Sequence, residues 1–301
     1  MSTTPVNALE QDCGDMPLHI RRERLALRFL VKAASNPYNP AGDVTQPDWQ
    51  AGYGKYAPGK EPLNTVFTRF FAGQNRTVTA RTAMLAPPWQ LKPLLLDSSL
   101  AARINKRDTP MAAIKAETLC FMERYAATTL IFTDASKLPS GETAAAIFVP
   151  STTHAHSVRV KNTVSVHSAE VAAVQLAVDW LLQQQVMLAT IFTDSLSTIS
   201  ALQSPDSGTK SALLSKLLVS LDKLDTMPTL AWIPGHVGIR GNDIADRTAK
   251  SGTAASTVEL HTPHELKDEL RLIDVYAIDR WQAEYDAHVK GAVHHVLEPQ
   301  V

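Results

Sequence analysis

Between residues 128 and 252 the chain alternates short apolar runs with longer amphipathic segments. The short runs are rich in β-branched and aromatic residues and predict strands, whereas apolar residues at every third or fourth position predict helices. The predicted strands are 128–134, 143–149, 156–163, 189–194 and 229–233. The predicted helices are 168–185, 197–203, 210–224 and 242–250. Three consecutive strands followed by helix-linked strands predict an α/β fold, a five-stranded mixed sheet with helices on both faces.

The flanking segments have a different pattern. Residues 16–33 intersperse Lys and Arg with apolar side chains and predict an amphipathic basic helix, which either packs with a solvated basic face or contacts nucleic acid. Residues 34–100 are rich in Pro, Gly and Asn and predict loops, with one helix near 63–72. A short helix is predicted at 110–126, and one or two short helices in the tail 257–301. We therefore expect a basic connector region (1–126) containing loops and helices, a folded domain (127–256) and an acidic helical tail.

Four carboxylates stand where distant parts of such a fold converge. Asp134 ends the first predicted strand, Asp194 ends the fourth, Glu170 opens the long helix and Asp246 lies in the last one. The carboxyl ends of strands in an α/β sheet form the usual active centre. Four carboxylates in one place would repel one another unless a hard cation lay among them. The pattern therefore predicts a Mg²⁺ site for phosphodiester chemistry.

Sequence motifs surround all four acids. They read Phe-Thr-Asp-Ala-Ser (132–136), Ser-Ala-Glu (168–170), Phe-Thr-Asp-Ser-Leu-Ser (192–197) and Trp-Ile-Pro-Gly-His-Val-Gly-Ile-Arg-Gly-Asn-Asp-Ile-Ala-Asp (232–246). Each motif is weak alone, but four in this order, each on the expected element, are specific. Together they resemble a type 1 ribonuclease H domain, in the version carried at the C-terminal end of non-LTR retrotransposon reverse-transcriptase polyproteins. Residues 16–33 also resemble the connector that precedes that domain.

The resemblance implies an endonuclease with a ribonuclease H-like fold that hydrolyses the RNA strand of RNA–DNA hybrids with two Mg²⁺ ions, for which Mn²⁺ can substitute. It implies that Asp134 bridges the two ions and that Glu170 and Asp194 bind the ion nearer the leaving 3′-oxygen. Asp246 would bind the ion that carries the attacking water. His236, in the glycine-rich loop, would assist proton movement or product departure. The expected products carry 5′-phosphate and 3′-hydroxyl ends.

Further site residues follow from the same motifs. Asp246 lies ten residues after His236, as in the family, and Asp243 is the alternative ligand. Ser136, Ser195 and Asn242 are expected to contact the hybrid.

The net charge of each segment indicates how strongly that segment would bind nucleic acid. Residues 1–126 carry 16 Lys and Arg against 11 Asp and Glu, residues 127–256 carry 9 against 10, and residues 257–301 carry 4 against 9. Nucleic-acid-binding domains usually have a basic surface, which the middle segment lacks. We therefore expect weak, salt-sensitive binding by that segment alone, with further phosphate contacts from the basic first segment.

Two other functions compete with hydrolysis of hybrids. One is a catalytically silent nucleic-acid-binding remnant of a retrotransposon polyprotein, and the other is an integrase-like enzyme acting on duplex DNA, which the Gly-His loop and Asp246 disfavour. The resemblance also implies a polymerase domain outside this chain as partner and a nuclear or cytosolic location. The two cysteines provide no disulfide framework, and the sequence predicts neither a secretory signal nor a membrane span.

Overall fold

The chain forms two compact units, which are described separately. The computed structural model describes residues 6–36, 38–45, 63–72, 90–105, 108–203, 212–259, 266–287 and 299–301. One unit comprises Met1–Arg81 together with Leu266–Val301, and the other comprises Thr82–Glu265. The three segments expected from the sequence divide the chain at other residues, and they stay a prediction.

The unit Thr82–Glu265 is built on a six-stranded mixed sheet. Its strands are β1 (Leu95–Asp97), β2 (Thr129–Lys137), β3 (Thr143–Val149), β4 (His154–Val160), β5 (Ala189–Thr193) and β6 (Thr229–Trp232), in the order β1-β6-β5-β2-β3-β4. The pairs β2–β3 and β3–β4 are antiparallel, and the remaining pairs are parallel. The predicted α/β fold class is confirmed.

The sheet contains one strand more than the five expected. Strand β1 is a three-residue segment that pairs in parallel with β6, Leu95 opposite Thr229. Three residues are too few to display an alternating pattern, so this strand could not be predicted from the sequence.

Helices cover both faces of this sheet. They are α4 (Ser99–Arg103), α5 (Met111–Glu123), α6 (Val166–Gln184), α7 (Leu196–Gln203), α8 (Ala212–Asp222) and α9 (Arg240–Gly252). Successive side chains of a strand point to opposite faces. Accordingly, Ile131 of β2 packs in one core cluster with α6 and α8, whereas the next residue, Phe132, packs in a second cluster with residues of α5 and α9.

The other unit is helical. It contains α1 (Val6–Cys13), α2 (Leu18–Ala34), a 3₁₀ helix (Pro40–Thr45), α3 (Leu63–Phe71) and α10 (Leu266–Ala287). The expected basic helix is α2, and in the described part of the acidic tail residues 266–287 form a single helix of 22 residues, longer than the short helices expected. The apolar positions of α10 recur at three- and four-residue intervals, which places them in one continuous apolar stripe along the helix. They are Leu266, Leu270, Ile273, Ala277, Trp281 and Tyr285.

Opposite charges join α2 to α10. Arg24 and Arg28 of α2 both pair with Asp274 of α10, at 2.7 and 2.8 Å. The excess positive charge of the first segment and the excess negative charge of the tail therefore meet partly within one unit. Arg21, Arg22 and Lys32 of α2 remain exposed, so contact with nucleic acid stays a prediction for this helix.

Within the described residues, no helix combines the length and the apolar character that crossing a bilayer requires.

Candidate metal centre

Strand register brings Asp134 and Asp194 together. Strands β2 and β5 are parallel neighbours with Thr133 opposite Thr193, and each aspartate is the next residue in its chain. Adjacent strands lie about 4.8 Å apart, so the two carboxylates start from neighbouring backbone positions. Asp134 still belongs to β2, where it pairs with Ala146 of β3, whereas Asp194 directly follows the end of β5.

Helix α6 brings Glu170 to the same place. The helix begins at Val166, two residues earlier than expected, because the side chain of Ser165 caps it by accepting a hydrogen bond from the Ser168 backbone at 3.1 Å. Glu170 is the fifth residue of the helix and is 9% exposed. The cap therefore fixes the helix start that carries this third carboxylate.

The three carboxylates form one cluster. Asp134, Glu170 and Asp194 each offer an oxygen, and these oxygens all lie within 4.8 Å of one another. Asp134 is buried, at 5% exposure, and the Oε2 atom of Glu170 has no hydrogen-bond partner among the described residues. Buried carboxylate oxygens without a donor are unfavourable unless a proton or a cation compensates them.

Burial and mutual repulsion hold protons on this cluster when no cation is bound. Burial raises the pKa of Asp134 to about 8, and the charge of Asp194 adds to the effect, while the Ala135 backbone N–H donating to Oδ1 at 2.7 Å opposes it. Burial likewise raises the pKa of Glu170 to about 9, with further contributions from Asp194 and Asp134. Such acids exchange their protons readily for a divalent ion.

The donor set fits a hard divalent cation. Mg²⁺ prefers oxygen ligands and is commonly held by a few carboxylates that leave positions for water and substrate. Three carboxylates, one of them with an oxygen that lacks a donor among the described residues, meet that requirement. The arrangement can therefore bind a cation that acts on a phosphodiester.

Asp246 lies next to this cluster rather than inside it. Its charge contributes to raising the pKa of Asp134, which shows that the two side chains are close. Its Oδ2 atom accepts from Lys250 Nζ at 2.7 Å, one helical turn further along α9. The positive charge of Lys250 in turn lowers the pKa of Asp134. The structure thus gathers three of the four predicted ligands and pairs the fourth with a lysine.

The loop between β6 and α9 supports Asp194. Trp232 Nε1 donates to the Asp194 backbone carbonyl at 3.0 Å. A Cβ atom at Gly235 would overlap Asp194 Oδ2, so any other residue at this position would have to displace the Asp194 carboxylate. His236, the next residue, is exposed with φ at 61° and is not part of the carboxylate cluster.

The three predicted polar contacts differ in accessibility. Ser136 is half-buried at the end of β2. Ser195 is 9% exposed, and its Oγ lies 2.8 Å from Thr198 Oγ1 at the start of α7. Asn242 is 1% exposed, and neither amide atom has a partner among the described residues. In this conformation Asn242 does not present its amide at the surface, so a direct contact with nucleic acid would require this side chain or its surroundings to rearrange.

Two residues of the site were not singled out from the sequence. Lys250 lies four residues after Asp246, and an i,i+4 pair on a predicted helix could have indicated it. The requirement for glycine at 235 depends on the approach of β5 and the loop in space, for which the sequence carries no local signal.

Comparison with known proteins identifies this region. A search of curated proteins found no match to the chain. Residues 126–254, which include all four predicted carboxylates, match the family model of RNase H. The chain therefore carries an RNase H domain.

Proposed function

We propose that this protein is an endonuclease that hydrolyses the RNA strand of RNA–DNA hybrids with the help of divalent cations, Mg²⁺ in the cell and Mn²⁺ as a substitute. The observation that carries the proposal is the convergence of Asp134, Glu170 and Asp194, whose oxygens lie within 4.8 Å of one another in a domain of the RNase H family. Two bound cations would activate a water molecule and stabilise the leaving oxygen.

Each residue of the site would have its own role in binding the cations or in moving protons. Asp134 would bind both cations, and Glu170 and Asp194 would hold one of them. Asp246 would hold the other after Lys250 releases it, since the Lys250 side chain is 56% exposed and an ion pair with such an exposed partner is weak. His236, exposed on its loop, would exchange protons with solvent or help the product leave.

The first competing proposal is a silent binding remnant. It requires that the fold persists while the cluster is inactive. The pKa values of Asp134 and Glu170, raised to about 8 and about 9, argue for a cation site, because a protein without this function would gain nothing from burying acids together. The second, an integrase-like enzyme, predicts a preference for duplex DNA.

A retroelement origin is part of the proposal and rests on the resemblance alone. It implies that a polymerase domain, outside this chain, is the natural partner. The exposed basic residues of α2 would then contribute to binding nucleic acid or that partner.

A substrate panel tests the proposal. Equal concentrations of labelled RNA–DNA hybrid, duplex DNA and duplex RNA are incubated with the protein and Mg²⁺, with Asp134→Asn as the control of nearly identical shape. We expect cleavage of the hybrid RNA strand to 5′-phosphate products by the wild type and at least a hundredfold less by the variant. Preference for duplex DNA would overturn the substrate class, and equal binding of hybrid by both proteins without cleavage would favour the silent remnant.

A further inference from the structure

A second site candidate lies in the RNase H domain away from the carboxylates. A cleft of about 720 Å³ opens between β4 and the C-terminal half of α6. Its volume falls in the range of ligand-binding clefts, roughly 300–1,000 Å³. Trp180 on its wall lies ten residues after Glu170 on the same helix, which corresponds to about 15 Å along the helix axis.

Three aromatic rings follow one another along this cleft, those of His156, His154 and Trp180, and together they are called the aromatic ladder. His154 and His156 alternate along β4 and are paired with Val149 and Ile147, whose side chains lie in the core beneath α6. Both histidines therefore point to the face that carries α6. The His154 ring is stacked at 6.1 Å from Trp180 with an interplanar angle of 26°, and His156 stands in the same relation to His154.

Such a ladder suits a planar aromatic ligand. Both histidines are exposed and Trp180 is half-buried, so solvent reaches part of each of the three side chains. Stacking of a base on aromatic side chains is favourable for any base, because each has a π-face. A metal ion fits less well, since the described residues provide no third ligand that would close a site around the two imidazoles.

Polar groups at the cleft determine which hydrogen-bonding groups a ligand would need along its edge. Asp179, also on α6, is held in place because its Oδ1 accepts from Gln175 Nε2 at 2.7 Å. The amides of Gln183 and Gln184 line the same wall. None of the described lining residues is Lys or Arg, so the cleft favours an uncharged base with N–H donors over a phosphate group.

The turn at the mouth of the cleft is strained. Thr153, which lines it, has φ at 51°. A β-branched residue in the left-handed region is an outlier, and strain of this kind concentrates at ligand-binding and functional positions.

We propose that the cleft between His154, Trp180 and Asp179 binds a planar aromatic ring that bears an amino group, namely an unpaired nucleobase. The base stacks on the His154–Trp180 ladder, and its amino group donates to the Asp179 carboxylate. The proposal does not depend on hydrolysis, because no residue of the carboxylate cluster lines the cleft.

The probe is 2-aminopurine riboside, whose fluorescence is quenched when the base stacks. Purine riboside, which lacks only the amino group, serves as the competitor, and both are titrated with the full-length chain in EDTA. We expect saturable quenching at millimolar concentrations and binding of the amino-bearing base about fivefold tighter than that of purine riboside. No saturable quenching, or equal affinities for the two nucleosides, would overturn the proposal.

Three variants locate the binding. His154→Ala is expected to weaken binding about tenfold, and because His154 is exposed the protein should still fold. Asp179→Asn is expected to remove the preference for the amino-bearing base. His19→Ala, an exposed histidine of the helical unit, is the matched control and is expected to bind normally. Equal affinity of His154→Ala and wild type, or an equal loss in His19→Ala, would contradict the assignment, as would loss of binding in Asp134→Asn.

Discussion

Among single residues, the three clustered carboxylates respond most directly to pH and to cations. Asp134 and Asp194 follow paired positions of parallel neighbours, and their places at the ends of predicted strands in an α/β fold led us to expect that they meet. Glu170 required only the start of one helix. Lys250 pairs with Asp246 one turn away on the same helix, so the i,i+4 spacing could have indicated it. The overlap at Gly235 depends instead on a distance between separate elements, which no local pattern encodes.

The buried acids should make the stability of the metal-free protein depend on pH. Asp134 has a folded-state pKa of about 8, whereas an unfolded aspartate titrates near 4. Its protonated form therefore contributes stability that is fully present below about pH 4 and is lost as pH rises through about 8. Asp134→Asn, which is neutral throughout, should be more stable than wild type at pH 8 by roughly 5 kcal/mol, with a much smaller difference at pH 4.5.

Urea unfolding in EDTA at these two pH values measures that difference. Mg²⁺ should stabilise the wild type at pH 8 and leave Asp134→Asn unchanged, because binding requires the ionised carboxylate. A stability difference that does not change with pH would contradict the raised pKa of this group.

Gly235 offers a test of the geometry around Asp194. In Gly235→Ala the new methyl group overlaps Asp194 Oδ2 and must push the carboxylate aside. We expect Mn²⁺ affinity, measured by calorimetry, to fall at least tenfold. Gly238→Ala in the same loop is the control. Gly238 has φ at 76°, so alanine should cost about 1 kcal/mol of stability. The nearest neighbour of the new methyl group is Lys115 rather than a carboxylate, so the affinity for Mn²⁺ should be unchanged. Equal affinities of Gly235→Ala and wild type would count against the cluster.

Because Asp246 lies beside the cluster, substituting it should reduce hybrid cleavage without abolishing cation binding. Asp246→Asn should still bind one divalent cation at the three remaining carboxylates, yet lose at least a hundredfold in hybrid cleavage. Asp243→Asn, on the first turn of the same helix, is the matched control and should retain activity. If Asp243→Asn lost activity and Asp246→Asn did not, the alternative ligand would replace Asp246.

At the scale of elements, strong periodicity made the central helices and strands predictable. Strand β3 begins and ends where expected, and α6 and α9 differ from expectation by two residues at most at either end. At α6 the cap accounts for the difference, since Ser165 starts the helix before the apolar pattern does. Strand β1 escaped prediction because its three residues are too few to show an alternating pattern, and its partner β6 lies more than 130 residues later in the chain.

The end of α6 allows a stability test that is independent of the site. Gln185 caps the helix in the left-handed region, with φ at 53°. Glycine adopts this conformation without a Cβ penalty, so Gln185→Gly should raise the free energy of unfolding by about 1 kcal/mol. Gln184→Gly, within the helix, should lower it by a similar amount. Thermal unfolding that moves in the same direction for both variants would contradict this cap.

At the scale of the whole molecule, the division into compact units predicts where the chain can be cut. Leu100, Ile114 and Phe121 precede the family match yet are at most 2% exposed in the core shared with β2, β5 and β6. A fragment of residues 82–265 retains them, whereas a fragment of residues 127–256 loses them. Each large apolar side chain contributes roughly 1.5–3 kcal/mol when buried.

We therefore expect the shorter fragment to be less stable by roughly 5 kcal/mol or to remain unfolded, while 82–265 folds cooperatively. Circular dichroism and urea unfolding of both fragments provide the measurement. Equal stability of the two fragments would instead support a domain boundary near residue 126.

A Mg²⁺ titration of hybrid cleavage asks whether the carboxylate cluster is a catalytic metal site. We expect no cleavage in EDTA, saturable activation by Mg²⁺ and a half-maximal pH that moves lower as the Mg²⁺ concentration rises, because the cation competes with protons on Asp134 and Glu170. Asp134→Asn should stay inactive at every Mg²⁺ concentration. Folded wild-type protein that leaves the RNA strand intact at every Mg²⁺ and Mn²⁺ concentration, or that cleaves it equally well in EDTA, would show that the cluster does not catalyse cleavage through a bound cation.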